Sequence, residues 1–99
     1  MTLDQFVQSA DADPQPPEEL SGELLALWLA KNGRWHEAHE IAQDIDTPLG
    51  SWIHAHLHLI EGDLSNAAYW YRRAGRPESS RDRLDLEWKE IAATAAGAA

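Results

Sequence analysis

The spacing of the histidines is the first feature of this sequence that suggests chemistry. His54 and His58 are four residues apart and share one face of a predicted helix, and Glu61 follows three residues later on that face. Two imidazoles and a carboxylate are donors that a divalent metal accepts. The pattern has no catalytic glutamate between the histidines and no third histidine, so it is more typical of solvated polar residues on an exposed face. We therefore predict no cofactor and keep a divalent metal as the alternative hypothesis.

A second histidine feature is predicted inside the protein. His56 falls on the apolar face that includes Ile53, and a buried imidazole needs a hydrogen-bond partner. We expect this partner to be His39, which would meet His56 across a helix–helix contact. Such a pair could act as a proton switch or a ligand site, although a paired core histidine is the more common arrangement. His36 and Glu40 are expected to form an exposed pair.

One short segment combines aromatic rings with arginines and is the second candidate site. Its members are Tyr69, Trp70, Arg72, Arg73 and Arg76. Guanidinium groups beside aromatic rings recognise carboxylates or phosphates on a partner. The arginines also fit the last turn of a helix, where the helix dipole favours cations, and they could pair with the acidic first half of the chain. These three interpretations stay open, and Tyr71 within the segment is expected in the core.

Composition narrows the classes of function. The 99 residues carry a formal net charge of −9 at pH 7, which argues against nucleic acid and against an anionic membrane, because phosphate contacts need a basic surface. The chain has no cysteine, and we recognise neither a signal peptide nor a transmembrane segment, so a cytoplasmic location is expected. No catalytic motif is recognisable, and we predict no enzymatic activity.

Helical periodicity predicts an all-α fold. A capping box at Thr2 and Gln5 begins a short helix, which a Pro-rich linker follows within residues 1–17. Residues 18–96 are predicted to form the helical domain, and residues 97–99 to fray. Five helices are expected after the linker, and they are expected to begin near Pro17, near Arg34, at Pro48, after Asp63, and after Ser79 or Ser80. The helix that begins at Arg34 is expected to run to Ile45.

A repeat underlies the helical domain. Three residue pairs are each 29 positions apart: Gly33 and Gly62, Ala38 and Ala67, and Pro48 and Pro77. Recurring glycines at helix ends and recurring small residues inside helices are typical of stacked helix hairpins.

The second copy of this repeat resembles a tetratricopeptide repeat. The residues that carry the resemblance are the turn Gly62-Asp63, the small residue Ala67, the aromatic Tyr71 and the late small residue Ala74. The resemblance covers roughly residues 18–77, but the spacing is 29 where the family has about 34. Ser51 and His58 stand near the places of the family's usual Trp and Tyr. The run from Trp52 to Gly75 also resembles small uncharacterised bacterial proteins, which implies no function.

The resemblance implies two antiparallel helix pairs stacked as a short array, with the first helix and a last capping helix at its ends. It also implies a protein- or peptide-binding scaffold or adaptor, which would use a groove along the first helices of the pairs and the aromatic–arginine segment. The alternative hypothesis is a histidine-based metal or small-molecule site, which includes an enzymatic one. A homodimer is a further option, because a short array leaves apolar surface at its ends.

Overall fold

Helices account for the architecture of residues 1–97, which are the residues that this computed structural model describes. The predicted all-α class is confirmed, since no strand occurs in this part of the chain. A short 3₁₀ helix, Arg81–Arg83, precedes the last α-helix. The six α-helices are α1 (Leu3–Ala12), α2 (Gly22–Lys31), α3 (Trp35–Ala42), α4 (Pro48–Glu61), α5 (Leu64–Ala74) and α6 (Leu84–Gly97).

Side-chain caps fix most of the helix starts. The predicted capping box is confirmed, because the Thr2 hydroxyl accepts from the Gln5 amide and the Gln5 side chain accepts from the Thr2 amide. Thr47 caps α4 in the same way through the amide of Gly50. Asp63 caps α5 through the amide of Asn66. Both helices therefore begin where the sequence predicts.

Two predicted boundaries are wrong for identifiable reasons. The second helix begins at Gly22 rather than near Pro17, because Glu19 has a left-handed φ of 66° and the Ser21 hydroxyl caps the amide of Leu24. The third helix ends at Ala42 rather than Ile45. Beyond Ala42 the backbone tightens, since the amide of Ile45 bonds to the Ala42 carbonyl three residues back.

The C-terminal end of the domain also differs from the prediction. Ser80 precedes the 3₁₀ helix without a side-chain cap, and α6 begins only at Leu84. Gly97 belongs to α6 rather than to a frayed tail. The rest of the predicted tail, residues 98 and 99, lies outside the described residues.

The helices pack as two hairpins with a helix across them. Glycines with left-handed backbones, Gly33 at φ +84° and Gly62 at φ +82°, turn α2 back onto α3 and α4 back onto α5. These short turns make each pair antiparallel. Helix α6 packs against both α2 and α4, which are the first helices of the two pairs. The groove expected along those first helices is therefore occupied by α6.

A single core joins these elements. It draws buried apolar side chains from all six α-helices, among them Phe6, Trp28, Ala38, Ile53, Tyr71 and Ile91. Indole N–H groups join the helices within it: Trp28 donates to Ser9, and Trp88 donates to the carbonyl of Leu27 at 2.8 Å. Within residues 1–97, no helix is both long enough and apolar enough to cross a membrane.

Candidate functional site

Three histidines from two helices meet on one side of α4. His39 of α3 lies against His54 and His58 of α4, with ring centroids 4.7 and 5.4 Å away. The two α4 rings are 4.9 Å apart. One nitrogen from each ring lies within 4.8 Å of the corresponding atoms of the other two. We call these three residues the histidine cluster, and it is the arrangement in the described residues that best suits a metal ion.

The burial of the cluster corrects one expectation. His54 is 5% exposed and His58 is 8% exposed, whereas the sequence suggested two solvated side chains. The periodicity correctly places both on one face of α4, but that face is covered because α4 packs between α3 and α5. His39 on α3 is half-buried and completes the set.

Aromatic rings form two walls of the cluster. Trp70 of α5 stacks on His54 with ring centroids 3.9 Å apart and an angle of 15° between the planes. Trp35 of α3 stacks on His39 at 4.9 Å. The Trp35 indole also donates a 2.7 Å hydrogen bond to the carbonyl of Leu57, which holds α3 in register with α4. The rings of the cluster are therefore placed by packing from three helices.

Glu61 orients one of the histidines. Its Oε1 lies 2.7 Å from Nδ1 of His58, and since a carboxylate only accepts hydrogen bonds, Nδ1 carries the hydrogen. Nε2 of His58 is then free to act as a ligand. A carboxylate that fixes a histidine in this way is the usual second partner in metal sites. The structure therefore hydrogen-bonds Glu61 to His58, and His39 rather than Glu61 is the third residue that converges with His54 and His58.

A neighbouring group of possible metal ligands includes a residue that already has a structural role. His58, Glu61 and Asp63 also have ligand atoms within 4.8 Å of one another. However, Asp63 caps α5 and accepts from the amide and the side chain of Asn66. These hydrogen bonds hold the pKa of Asp63 below its usual value. Its carboxylate is thus committed to the helix start.

Two rings of the histidine cluster, His39 and His54, favour the uncharged form. Burial, followed by the proximity of His39 and His58, lowers the pKa of His54 to about 4. Burial and then the neighbouring His58 lower the pKa of His39 as well. Neutral imidazole is the form that binds metals, so these two rings need lose no proton at pH 7.

The expected pair of His39 and His56 is not formed. Nδ1 of His56 lies 2.6 Å from Oε1 of Glu87 on α6, and both side chains are buried. His39 belongs to the histidine cluster instead. In an α-helix residues four apart share a face and residues two apart do not, so His54 and His58 face α3 and α5 while His56 faces α6.

Glu87 is the centre of a buried polar network. Its carboxylate accepts from the Tyr71 hydroxyl at 2.6 Å and from the Trp52 indole at 3.3 Å, in addition to His56. Burial opposes ionisation of Glu87, but the hydrogen bonds from His56 and Tyr71 outweigh it and leave the pKa below its usual value. Burial and then the Glu87 carboxylate raise the pKa of Tyr71, so the phenol stays protonated and donates.

Glu87 was not predicted from the sequence, although a signal was present. Leu84, Trp88 and Ile91 mark the inner face of the last helix, and Glu87 occupies the remaining position of the pattern i, i+3, i+4, i+7. A carboxylate on an apolar face implies buried hydrogen-bond donors opposite it. The prediction that Tyr71 lies in the core is confirmed, at 1% exposure.

The aromatic–arginine segment does not form one patch. Tyr69 is exposed, and its hydroxyl accepts from Arg73 at 3.2 Å, while the Arg73 guanidinium lies 5.3 Å from the centre of the Trp70 ring. Arg76 lies beyond the end of α5, not in its last turn, and covers the Trp52 ring at 3.7 Å. Arg72 is exposed in the last turn, as predicted.

The proposed pairing of these arginines with the acidic first half of the chain is not observed. Among residues 1–97, the ion pairs within 4.0 Å include Arg34 with Glu37 and Arg83 with Glu90, but none with Arg72, Arg73 or Arg76. The expected exposed pair of His36 with Glu40 is confirmed at 3.0 Å.

The comparisons with known proteins assign the chain to no family. No protein-family model matches the chain, and no curated protein and no solved structure gives a significant match. The class is therefore defined by the structure itself, as a small all-helical protein of two hairpins and two flanking helices with a histidine cluster between α3 and α4.

Proposed function

We propose that this protein binds a divalent transition metal ion through His39, His54 and His58. Zinc is the ion that we use to test the proposal. The observation that carries the proposal is the convergence of three imidazole nitrogens within 4.8 Å of one another, from two packed helices. Such a site needs residues that are distant in sequence, and the packing of α3 on α4 brings them together.

The donor set favours a particular class of metal. Imidazole nitrogens suit zinc, copper, nickel and iron, whereas calcium and magnesium prefer oxygen ligands. His54 and His58 are one helical turn apart, which is the spacing of paired histidine ligands on a zinc-binding helix. Glu61 supports the proposal further, because it fixes the tautomer of His58 and leaves Nε2 for the metal.

Metal binding would require the rings to turn. Zinc–nitrogen bonds are about 2.0–2.1 Å long, so nitrogens spread over as much as 4.8 Å must move closer together. The rings of His54 and His58 are nearly parallel, at 24°, and rotation of the imidazoles about their side-chain bonds would aim both at one point. The relative position of α3 and α4 need not change, since the hydrogen bond from the Trp35 indole to the Leu57 carbonyl already joins the two helices.

A zinc titration by calorimetry tests this proposal on protein that carries no histidine tag. We expect one equivalent of zinc to bind with a dissociation constant in the micromolar range or tighter. His54→Ala and His39→Ala should each weaken binding at least about tenfold, because each removes a ligand. The control is His36→Ala, a change of an exposed histidine on the same helix as His39. Equal affinities for the wild type and both cluster variants would refute the site.

A protein or peptide partner with acidic groups is the second candidate function. Two observations favour it: the exposed Tyr69–Arg73 pair on α5, and the pairing of α2 with α3 and of α4 with α5, which supports a tetratricopeptide-like array. Photo-crosslinking from position 69 in the protein's own host tests this candidate, with position 44, the exposed Asp44 of the turn after α3, as the control. A product seen equally from both positions, or from neither, would reject a partner on this surface. A product of twice the chain mass at position 69 alone would indicate a homodimer.

A further inference from the structure

The histidine cluster offers three ligands, and the usual coordination number of zinc is four. Structural zinc sites take all four ligands from the protein, whereas sites that exchange ligands take three and leave the fourth position to water or another small molecule. Within residues 1–97, His39, His54 and His58 are the histidines that converge, and the sulfur ligands of structural sites are absent because the chain has no cysteine.

The nearest carboxylates already have hydrogen-bond partners. Oε1 of Glu61 accepts from Nδ1 of His58 at 2.7 Å, and coordination of a metal by Glu61 would give up the bond that orients this ring. Asp63 accepts from the Asn66 side chain at 2.8 Å and caps α5. The structure therefore gives both carboxylates roles other than that of a fourth ligand.

The cluster also keeps a path to solvent. Trp35 and Trp70 cover two of its sides, but His39 is only half-buried and both α4 histidines retain a small exposed area. Arg73 supplies an exposed cation beside the Trp70 wall, because its guanidinium carbon lies 5.3 Å from the centre of the indole. The positive charges of a bound metal ion and of this guanidinium favour an anion at the fourth position.

We propose that the metal bound by the histidine cluster keeps one position open and that this position takes a small carboxylate anion from solution. The inference rests on the proposed metal binding. The exchange is a simple substitution, in which a carboxylate oxygen donates its electron pair to the metal and a bound water leaves. Neither the metal nor the ligand changes oxidation state.

Cobalt-loaded protein, titrated with acetate at low ionic strength, tests the inference. We expect the visible absorption of cobalt to change with acetate along a saturable curve, because a new oxygen ligand alters its coordination. Arg73→Ala should weaken acetate binding about twofold and should not weaken cobalt binding, since it removes a nearby positive charge. The control is Arg72→Ala, which removes the charge of an exposed arginine in the same last turn of α5.

The outcomes separate the inference from the function on which it rests. A cobalt spectrum that does not respond to saturating acetate would overturn the open position, even though cobalt is bound. Acetate affinities that are equal in the wild type and in Arg73→Ala would overturn the part assigned to Arg73. Failure to bind cobalt at all would instead contradict the proposed metal function.

Discussion

The rings of His54 and Trp70 are stacked 3.9 Å apart, which joins two regions that look separate in the sequence. His54 belongs to the histidine cluster of α3 and α4, and Trp70 belongs to the aromatic segment of α5. The contact makes the indole a wall of the candidate metal site. It also places a fluorescent group directly beside a proposed ligand.

This contact leads to a spectroscopic prediction. Copper(II) bound at the histidine cluster should quench a large part of the tryptophan emission at one equivalent, because Trp70 and Trp35 both stack on cluster histidines. Trp70→Phe should remove a substantial share of that quenching and leave copper affinity within about a few-fold of wild type. A copper titration of both proteins by fluorescence measures this effect. Quenching with the same amplitude in both proteins would contradict the position of the metal.

Glu61 gives a prediction about metal affinity. Glu61→Ala removes the acceptor that orients His58 and should weaken zinc binding about tenfold or more while the protein stays folded. Glu61→Gln should lose less zinc affinity, because its amide oxygen can still accept a hydrogen bond from Nδ1 of His58. Calorimetric titration of both variants gives the affinities, with Glu40→Ala as the control because Glu40 pairs with the exposed His36. An unchanged affinity in Glu61→Ala would show that this carboxylate does not support a ligand.

The Glu87 network gives a prediction about stability. Glu87→Ala leaves the buried donors of His56, Tyr71 and Trp52 without their acceptor and should lower the free energy of unfolding by about 3–5 kcal/mol. Tyr71→Phe removes one hydrogen bond to a charged group and should cost about 1.5–3 kcal/mol. Urea denaturation followed by circular dichroism measures both losses. Glu90→Ala breaks only an exposed pair with Arg83 and should change stability by less than about 1 kcal/mol.

The same network predicts how stability depends on pH. Glu87 has a folded-state pKa below its ordinary value of 4.5, so the unfolded chain binds the proton more readily. The stabilisation by its carboxylate is therefore complete above that ordinary value and is lost as the pH falls through the lower folded value. The groups that face the carboxylate are His56, Tyr71 and Trp52.

Denaturation of the wild type and of Glu87→Gln over a series of pH values checks this sign. The stability difference between the two proteins should be constant above about pH 5 and should shrink as the pH is lowered further. A difference that grows toward acidic pH would mean that Glu87 is protonated in the folded protein.

The helix pairs could be predicted because their signals are local. Gly62 and Gly75 have the left-handed backbones that end α4 and α5, and Asp63 caps α5 through its own neighbours in sequence. The start of α2 could not be predicted in this way, since Pro17 is an equally good first residue and the deciding feature is the backbone of Glu19. Local patterns therefore give the helices, and backbone conformation between them sets the exact ends.

The candidate site was only partly predictable. His54 and His58 share a face through helical periodicity alone, but the addition of His39 depends on how α3 lies on α4. The same packing decides that His56 meets Glu87 on α6, thirty-one positions away along the chain. A single sequence gives the periodicity of each helix and not the partner that covers each face.

The most direct test of the metal site is an NMR spectrum of the histidine ring nitrogens, recorded with and without one equivalent of zinc. Two-bond proton–nitrogen correlations show for each imidazole which nitrogen carries a hydrogen and which nitrogen binds the metal. We expect zinc to shift a nitrogen of His39, of His54 and of His58, and to leave His36 and His56 as they were. Unchanged cluster signals, or a shift confined to the exposed His36, would contradict the metal site.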